Sequence, residues 1–140
     1  MSYSASASLV INASPERVWE ALTLPEQVKE YFFGTDLVTD WQICQPIYLR
    51  GEWQGKKYED KGTVLEFEKP LSLSYNYWSS MSGIADQSDL YQILRYTLEP
   101  EADATRVTIT QSNVATQDSA DHSAQNWQGV LEALKKFLEK

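Results

Sequence analysis

The chain has 140 residues, a length at which one domain with one core is the default and roughly two-thirds of the unfolded surface is buried on folding. Hydrophobic residues make up 42% and charged residues 23%, proportions that point away from disorder and from a membrane-embedded chain. Twenty acidic against twelve basic side chains give a net charge of -8, which repels phosphate backbones and anionic lipid heads, so no nucleic acid and no membrane surface is expected as a partner.

Residues 3 to 12 carry Leu9, Val10 and Ile11 among small β-tolerant residues and predict a first strand. The opening MSYSASASLV has no basic segment followed by a long apolar one, and no apolar run approaches the roughly 20 residues of a membrane span, so export is not expected. The chain then turns helical. Ser14 is placed to cap a helix, Pro15 sits where a missing N–H costs nothing, and Glu16 lies near the positive end of the helix dipole. Val18, Trp19 and Leu22 share one face of this helix. Pro25 opens a second short helix with Val28, Tyr31 and Phe32 as its apolar stripe, ending near Gly34.

From Thr35 to Gln111 the helical period disappears, and short apolar stretches punctuated by Gly, Pro and Asp predict six strands, over 35–41, 46–53, 58–68, 71–78, 90–99 and 104–111. Alternation marks three inward faces: Ile47, Leu49, Gly51 and Trp53; Leu71, Leu73, Tyr75 and Tyr77; and Leu94, Tyr96 and Leu98 paired with Val107 and Ile109. One dry and one wet face is the pattern of an antiparallel sheet, and the Glu99 to Ala104 and Lys69-Pro70 connections are too short for parallel crossovers. Cys44, the single cysteine, permits no internal disulfide and fits a reducing compartment, so the cytoplasm is the expected location.

The last segment returns to helical spacing through Trp127, Val130, Leu131, Leu134, Phe137 and Leu138, with Asp118 as the candidate N-cap and Lys135, Lys136 and Lys140 toward its end. Gly129 inside this helix costs about 1 kcal/mol relative to Ala and predicts a close approach of strand backbone there. The expected fold is therefore α+β: a curved antiparallel sheet of about seven strands wrapped around a long C-terminal helix, with two short helices after the first strand. A bent sheet and a straight helix do not meet everywhere, and the space left at one end is a typical ligand site.

Candidate site residues follow from that geometry. Trp41, Trp53, Tyr75, Tyr77, Tyr96 and Trp127 fall on or beside predicted inward faces, where flat rings with polar tips line a pocket for a greasy or flat molecule; the competing reading is that they fill a solid core. The 79–89 loop, SSMSGIADQSD, is long for a hairpin and holds Met81 and Ile84, which makes it a candidate lid or an ordinary surface excursion. Asp121, His122 and Ser123 spell the members of a hydrolase triad, but neighbours on a helix point about 100° apart and cannot form a relay. With one His and one Cys a zinc site is not expected, and no cofactor is either. Glu66 with Glu68, and Glu59 with Asp60 beside Lys56, Lys57 and Lys61, read as outward solvated charge rather than as a catalytic acid pair. Arg95 and Arg106 alternate with inward residues and are expected to face water.

Several stretches carry a family resemblance: INASPERVWEALTLPEQVKEYF, GEWQGKKYEDKG, LSLSYNYW, LRYTLEPEADATRVTITQSN and HSAQNWQGVLEALKKFLE. In that order and spacing, from about Ser8 to Glu139, the chain resembles the SRPBCC superfamily (START-like, Bet v-like), and within it the branch similar to the C-terminal domain of the activator of the ninety-kilodalton heat-shock protein ATPase. The resemblance implies a helix-grip fold over 1–140 with a cavity under the long helix, which in relatives receives lipids, polyketides, hormones or aromatic compounds. Members of this branch are mostly stand-alone bacterial domains without a shared catalytic set, and the resemblance assigns no catalytic residue. Relatives that act as co-chaperones in eukaryotes carry a separate N-terminal chaperone-binding domain. The first expectation is thus a non-catalytic module for a small apolar or aromatic molecule. A chaperone-binding domain stimulating a heat-shock ATPase is the second. A cyclase or hydrolase is the third, although the sequence shows no nucleophile with its base. A homodimer through an exposed apolar patch is a further expectation.

Overall fold

The computed structural model describes residues 3–32, 34–53, 55–79 and 85–139. The elements run β1 (Tyr3–Ile11), α1 (Pro15–Thr23), α2 (Pro25–Tyr31), β2 (Asp36–Val38), β3 (Pro46–Trp53), β4 (Lys56–Glu68) and β5 (Ser72–Ser79), then β6 (Gln92–Glu101), β7 (Ala104–Val114) and α3 (Gln117–Glu139). A single 3-10 turn over Ser88–Leu90 leads into β6. All seven strands join one antiparallel, curved sheet in the order β1-β7-β6-β5-β4-β3-β2, so β1 and β2 are its edges.

Local chemistry explains the element ends. Ser14 accepts the Arg17 N–H at 3.2 Å, and Pro15 opens α1 without an orphaned donor. The cap of α3 is Thr116 rather than Asp118: its hydroxyl accepts the Ser119 N–H at 3.1 Å and its carbonyl accepts from Ala120, which leaves Asp118 inside the first turn as a charge favoured by the dipole. Strand β2 is shorter than the alternation predicts, because Thr39 and Asp40 fold back on the chain and accept the N–H groups of Trp41 and Gln42. Leu71 is likewise not part of an inward face. Strand β5 begins one residue later, and Leu71 sits in the preceding turn, 52% exposed, with its N–H on Glu68 and its carbonyl on Leu98.

The core lies between the sheet and the helices. Leu73, Leu94, Leu98, Val107 and Ile109 supply the strand side, and Trp127, Val130, Leu131 and Leu134 the α3 side. Each fully buried aliphatic side chain stabilises the fold by about 1.5–3 kcal/mol, so the α3 stripe alone anchors that helix. Cover for the sheet is shared, however. Val18, Trp19, Leu22, Val28 and Tyr31 from the two short helices belong to the same core, with Trp19 against Phe67 at 5.2 Å and Tyr31 donating its hydroxyl to the Ala21 carbonyl. α3 packs chiefly over β1 and β7, at one edge of the sheet, and leaves the β3–β5 side of the concave face to be covered otherwise. Gly129 is not at a close approach: a Cβ there would meet nothing within 4 Å, since this residue lies on the exposed side of the helix.

Candidate functional site

Where α3 stands away from β3, β4 and β5, a cavity of about 490 Å³ remains. Its apolar walls are Phe32 after α2, Leu49 on β3, Tyr58 on β4, Tyr77 on β5, and Trp127 with Val130 on α3. The exposed side chains of His122 and Asn126 mark the side on which it meets solvent. A second void, about 20 Å³ and thus no larger than a water molecule, lies among Leu22, Val28, Leu37, Trp41, Tyr75 and Tyr96.

The aromatic walls are held by bonds that consume their polar tips. Trp127 donates its indole N–H to Gln111 Oε1 at 2.6 Å, and Gln111 donates in turn to the Tyr77 hydroxyl at 3.1 Å and to Gln92 Oε1. Tyr77 donates to the same Gln92 oxygen at 2.9 Å. Gln111 is itself buried, so this network satisfies three groups that would each be costly to strand inside the fold. Tyr58 is positioned differently. Its hydroxyl bonds Thr35 at 2.7 Å, and its ring lies across Gly51, its cross-strand partner, where an added Cβ would meet the Tyr58 ring and hydroxyl at 2.5–3.0 Å. Glycine at 51 therefore leaves room for the ring at the cavity wall.

Two carboxylates line this aromatic setting, Glu52, which is exposed, and Asp60, which is partly buried. Glu59 and Lys61 turn outward, to Arg50 at 2.6 Å and Asp86 at 2.7 Å, but Asp60 between them turns inward. The outward reading of Asp60 is therefore overturned: period 2 places it on the face of Tyr58 and the fully buried Val64, and register sets it between Leu49 and Ser79. Ser79 hydrogen-bonds the carboxyl, whereas Oδ1 is buried without any hydrogen-bond partner. Burial raises the Asp60 pKa above its ordinary 3.8, and the Ser79 bond offsets part of that rise. None of the ion pairs among the described residues includes Asp60.

The remaining expected residues are distributed as follows. Tyr77 and Trp127 line the larger cavity, and Trp41, Tyr75 and Tyr96 surround the small void. Tyr75 and Tyr96 stack at 6.1 Å with their hydroxyls 3.3 Å apart; Trp41 stacks on Phe67 at 5.5 Å and donates its indole N–H to the Thr23 carbonyl. Burial pushes the phenols of Tyr75, Tyr77 and Tyr96 upward, so all three stay protonated near neutrality and act as hydrogen-bonding groups rather than bases. Trp53 ends β3 opposite Lys56, and its side chain lies outside the described residues, as do Met81 and Ile84 of the 79–89 loop. Glu66 and Arg106 form exposed pairs with Arg95 and Glu101. His122 is exposed at the cavity mouth. Among the described residues no group of three or more His, Cys, Asp and Glu side chains could hold a metal ion, and no helix is long and apolar enough to cross a membrane.

Comparison with known proteins adds family and fold. A family model described as Activator of Hsp90 ATPase homolog 1-like protein matches residues 12–139. No curated protein matches. The solution structure of ChR145 from Cytophaga hutchinsonii is 44% identical with a TM-score of 0.84, over 98% of this chain and 94% of that one. The Aha1 dimer from Colwellia psychrerythraea is 20% identical with a TM-score of 0.77, over 98% and 96% of the two chains. CalU16 from Micromonospora echinospora is 16% identical with a TM-score of 0.74, over 99% and 86%. The last two likenesses speak to the fold alone.

Proposed function

Since this chain belongs to the Activator of Hsp90 ATPase homolog 1-like family, a branch of the SRPBCC-type helix-grip proteins, we propose that it is a cytoplasmic, non-catalytic module that binds a small hydrophobic or aromatic molecule between α3 and the sheet. The observation that supports this reading is the cavity of about 490 Å³, within the roughly 300–1,000 Å³ typical of small-molecule sites, with aromatic walls whose hydroxyl and indole groups are already bonded to the protein. Such walls offer flat apolar faces at little cost in desolvation. In this reading Tyr77 and Trp127 contact the ligand, while Trp41, Tyr75 and Tyr96 set the floor behind them.

The test is thermal: uncharged naphthyl and biphenyl alcohols are added and the melting temperature followed, because a ligand that binds the folded state raises stability by mass action. Stabilisation is expected in the parent protein and not in Asn126→Trp, which places a large ring in the cavity from an exposed position on α3. Equal stabilisation of both proteins would move binding elsewhere.

The family description favours one second reading, stimulation of a heat-shock ATPase through direct contact. ATPase assays with and without the protein decide it; a rate unchanged at saturating protein removes it. The Colwellia relative is a dimer, and sedimentation across a concentration series tests whether this chain pairs likewise.

A further inference from the structure

We propose that the cavity selects organic cations, an ammonium group carried on an apolar or aromatic body, with the ammonium seated between the Asp60 carboxylate and the rings of Tyr58, Tyr77, Phe32 and Trp127. The inference rests on the binding reading above and specifies its ligand class.

Three observations carry it. Asp60 lines the cavity, Ser79 is its hydrogen-bonding neighbour, and no ion pair among the described residues neutralises its carboxylate. A partly buried carboxylate without a countercharge costs free energy in the empty protein, and a cation that the ligand brings offsets that cost. Next, the polar tips around it are spent on Gln111, Gln92 and Thr35, so Tyr58, Tyr77 and Trp127 present rings, whose negative faces attract a cation and give an anion nothing. Finally, the charges of the described lining are acidic, Glu52 and Asp60, with His122 as the only basic side chain and no Lys or Arg, while Lys61 beside Asp60 is held outside by Asp86. A carboxylate or phosphate ligand would find no countercharge there. Burial with aromatic walls lowers the effective dielectric and strengthens the ammonium–carboxylate contact.

The experiment is a matched titration near neutral pH with naphthylethylamine, naphthylethanol and naphthylpropionate, followed by calorimetry in the parent protein and in Asp60→Asn. The amine is expected to bind the parent roughly tenfold to a hundredfold more tightly than the alcohol, the acid weakest of all, and Asp60→Asn to bring amine and alcohol together. Thermal melts of the variant confirm that it is folded. If amine and alcohol bind the parent equally, or if the amine's advantage survives in Asp60→Asn, cation selection is overturned while the binding reading stands. If none of the three binds, both fall.

Discussion

Replacing Asp60 by Asn should stabilise the empty protein, and the gain should depend on pH in a specific sense. The carboxyl is held in an aromatic cavity with Ser79 as its hydrogen-bonding neighbour and Oδ1 unpartnered, and burial raises its pKa above 3.8. An acid whose folded pKa is raised contributes its full stability below the unfolded pKa and loses it as pH rises through the folded value. Asn carries no charge at any pH, so the two proteins should be equally stable in acid and diverge as Asp60 ionises. Asn leaves an amide atom in the same buried place, so the desolvated charge alone sets the size of the divergence, about 1–2 kcal/mol, or roughly 3–7 °C in Tm for a chain of this length. The groups that face Asp60 are Tyr77 and Tyr75, which burial keeps protonated over this range, together with Tyr58, Glu52 and His122 at the cavity. They are common to both proteins, and taking the difference between parent and variant leaves Asp60 as the changed group. Urea or thermal unfolding of both, from acid to neutral pH, is the assay. A gain of the same size at every pH, or no gain near neutrality, would refute the picture of a buried, unpaired carboxylate.

Three further outcomes follow from the geometry. Gly62→Ala should cost more than about 3 kcal/mol in denaturant unfolding, because its Cβ would lie 1.7 Å from the Asn76 carbonyl oxygen across the β4–β5 pair, and backbone cannot step aside as a side chain can. Gln111→Met should strand the Trp127 indole N–H, lowering stability by about 1–3 kcal/mol and moving that proton's NMR resonance upfield; an unmoved resonance would show that the 2.6 Å bond is not formed. Gly129→Ala should raise stability by about 1 kcal/mol, since the position is open and only helix propensity changes; a loss would reveal a contact at that turn.

The sheet and helices were legible because their signals are local. Alternation through Leu94, Tyr96 and Leu98 and through Val107 and Ile109 needs no partner to be read, and the register joins these very residues, Tyr96 to Ile109 and Leu98 to Val107. Ser14 followed by Pro15 likewise carries its own start signal. The inward turn of Asp60 is masked in the sequence by the charges on either side of it. In a run of Lys56, Lys57, Glu59, Asp60 and Lys61 the solvated reading is the usual one, yet alternation from Val64 through Gly62 points Asp60 inward, opposite the inward Leu49. Depth was not legible either. Tyr75 and Tyr77 share a face, but one borders a void of water size and the other the large cavity, and the difference is set by where α3 crosses the sheet. That placement, over β1 and β7 rather than mid-sheet, is a tertiary outcome that periodicity does not encode. Gly129 shows the reverse error, a glycine read as a packing device where the helix faces open space.

If the gap beneath α3 receives a small molecule, the residues around it must respond when one is added. Backbone amide NMR during titration with naphthylethanol tests it most directly. Saturable shifts are expected on Tyr58, Asp60, Tyr77 and the His122–Val130 stretch of α3, with Glu66, Arg95 and Arg106 on the outer face unmoved. Shifts confined to the outer face of the sheet, or a spectrum unchanged at the solubility limit of the probe, would contradict it.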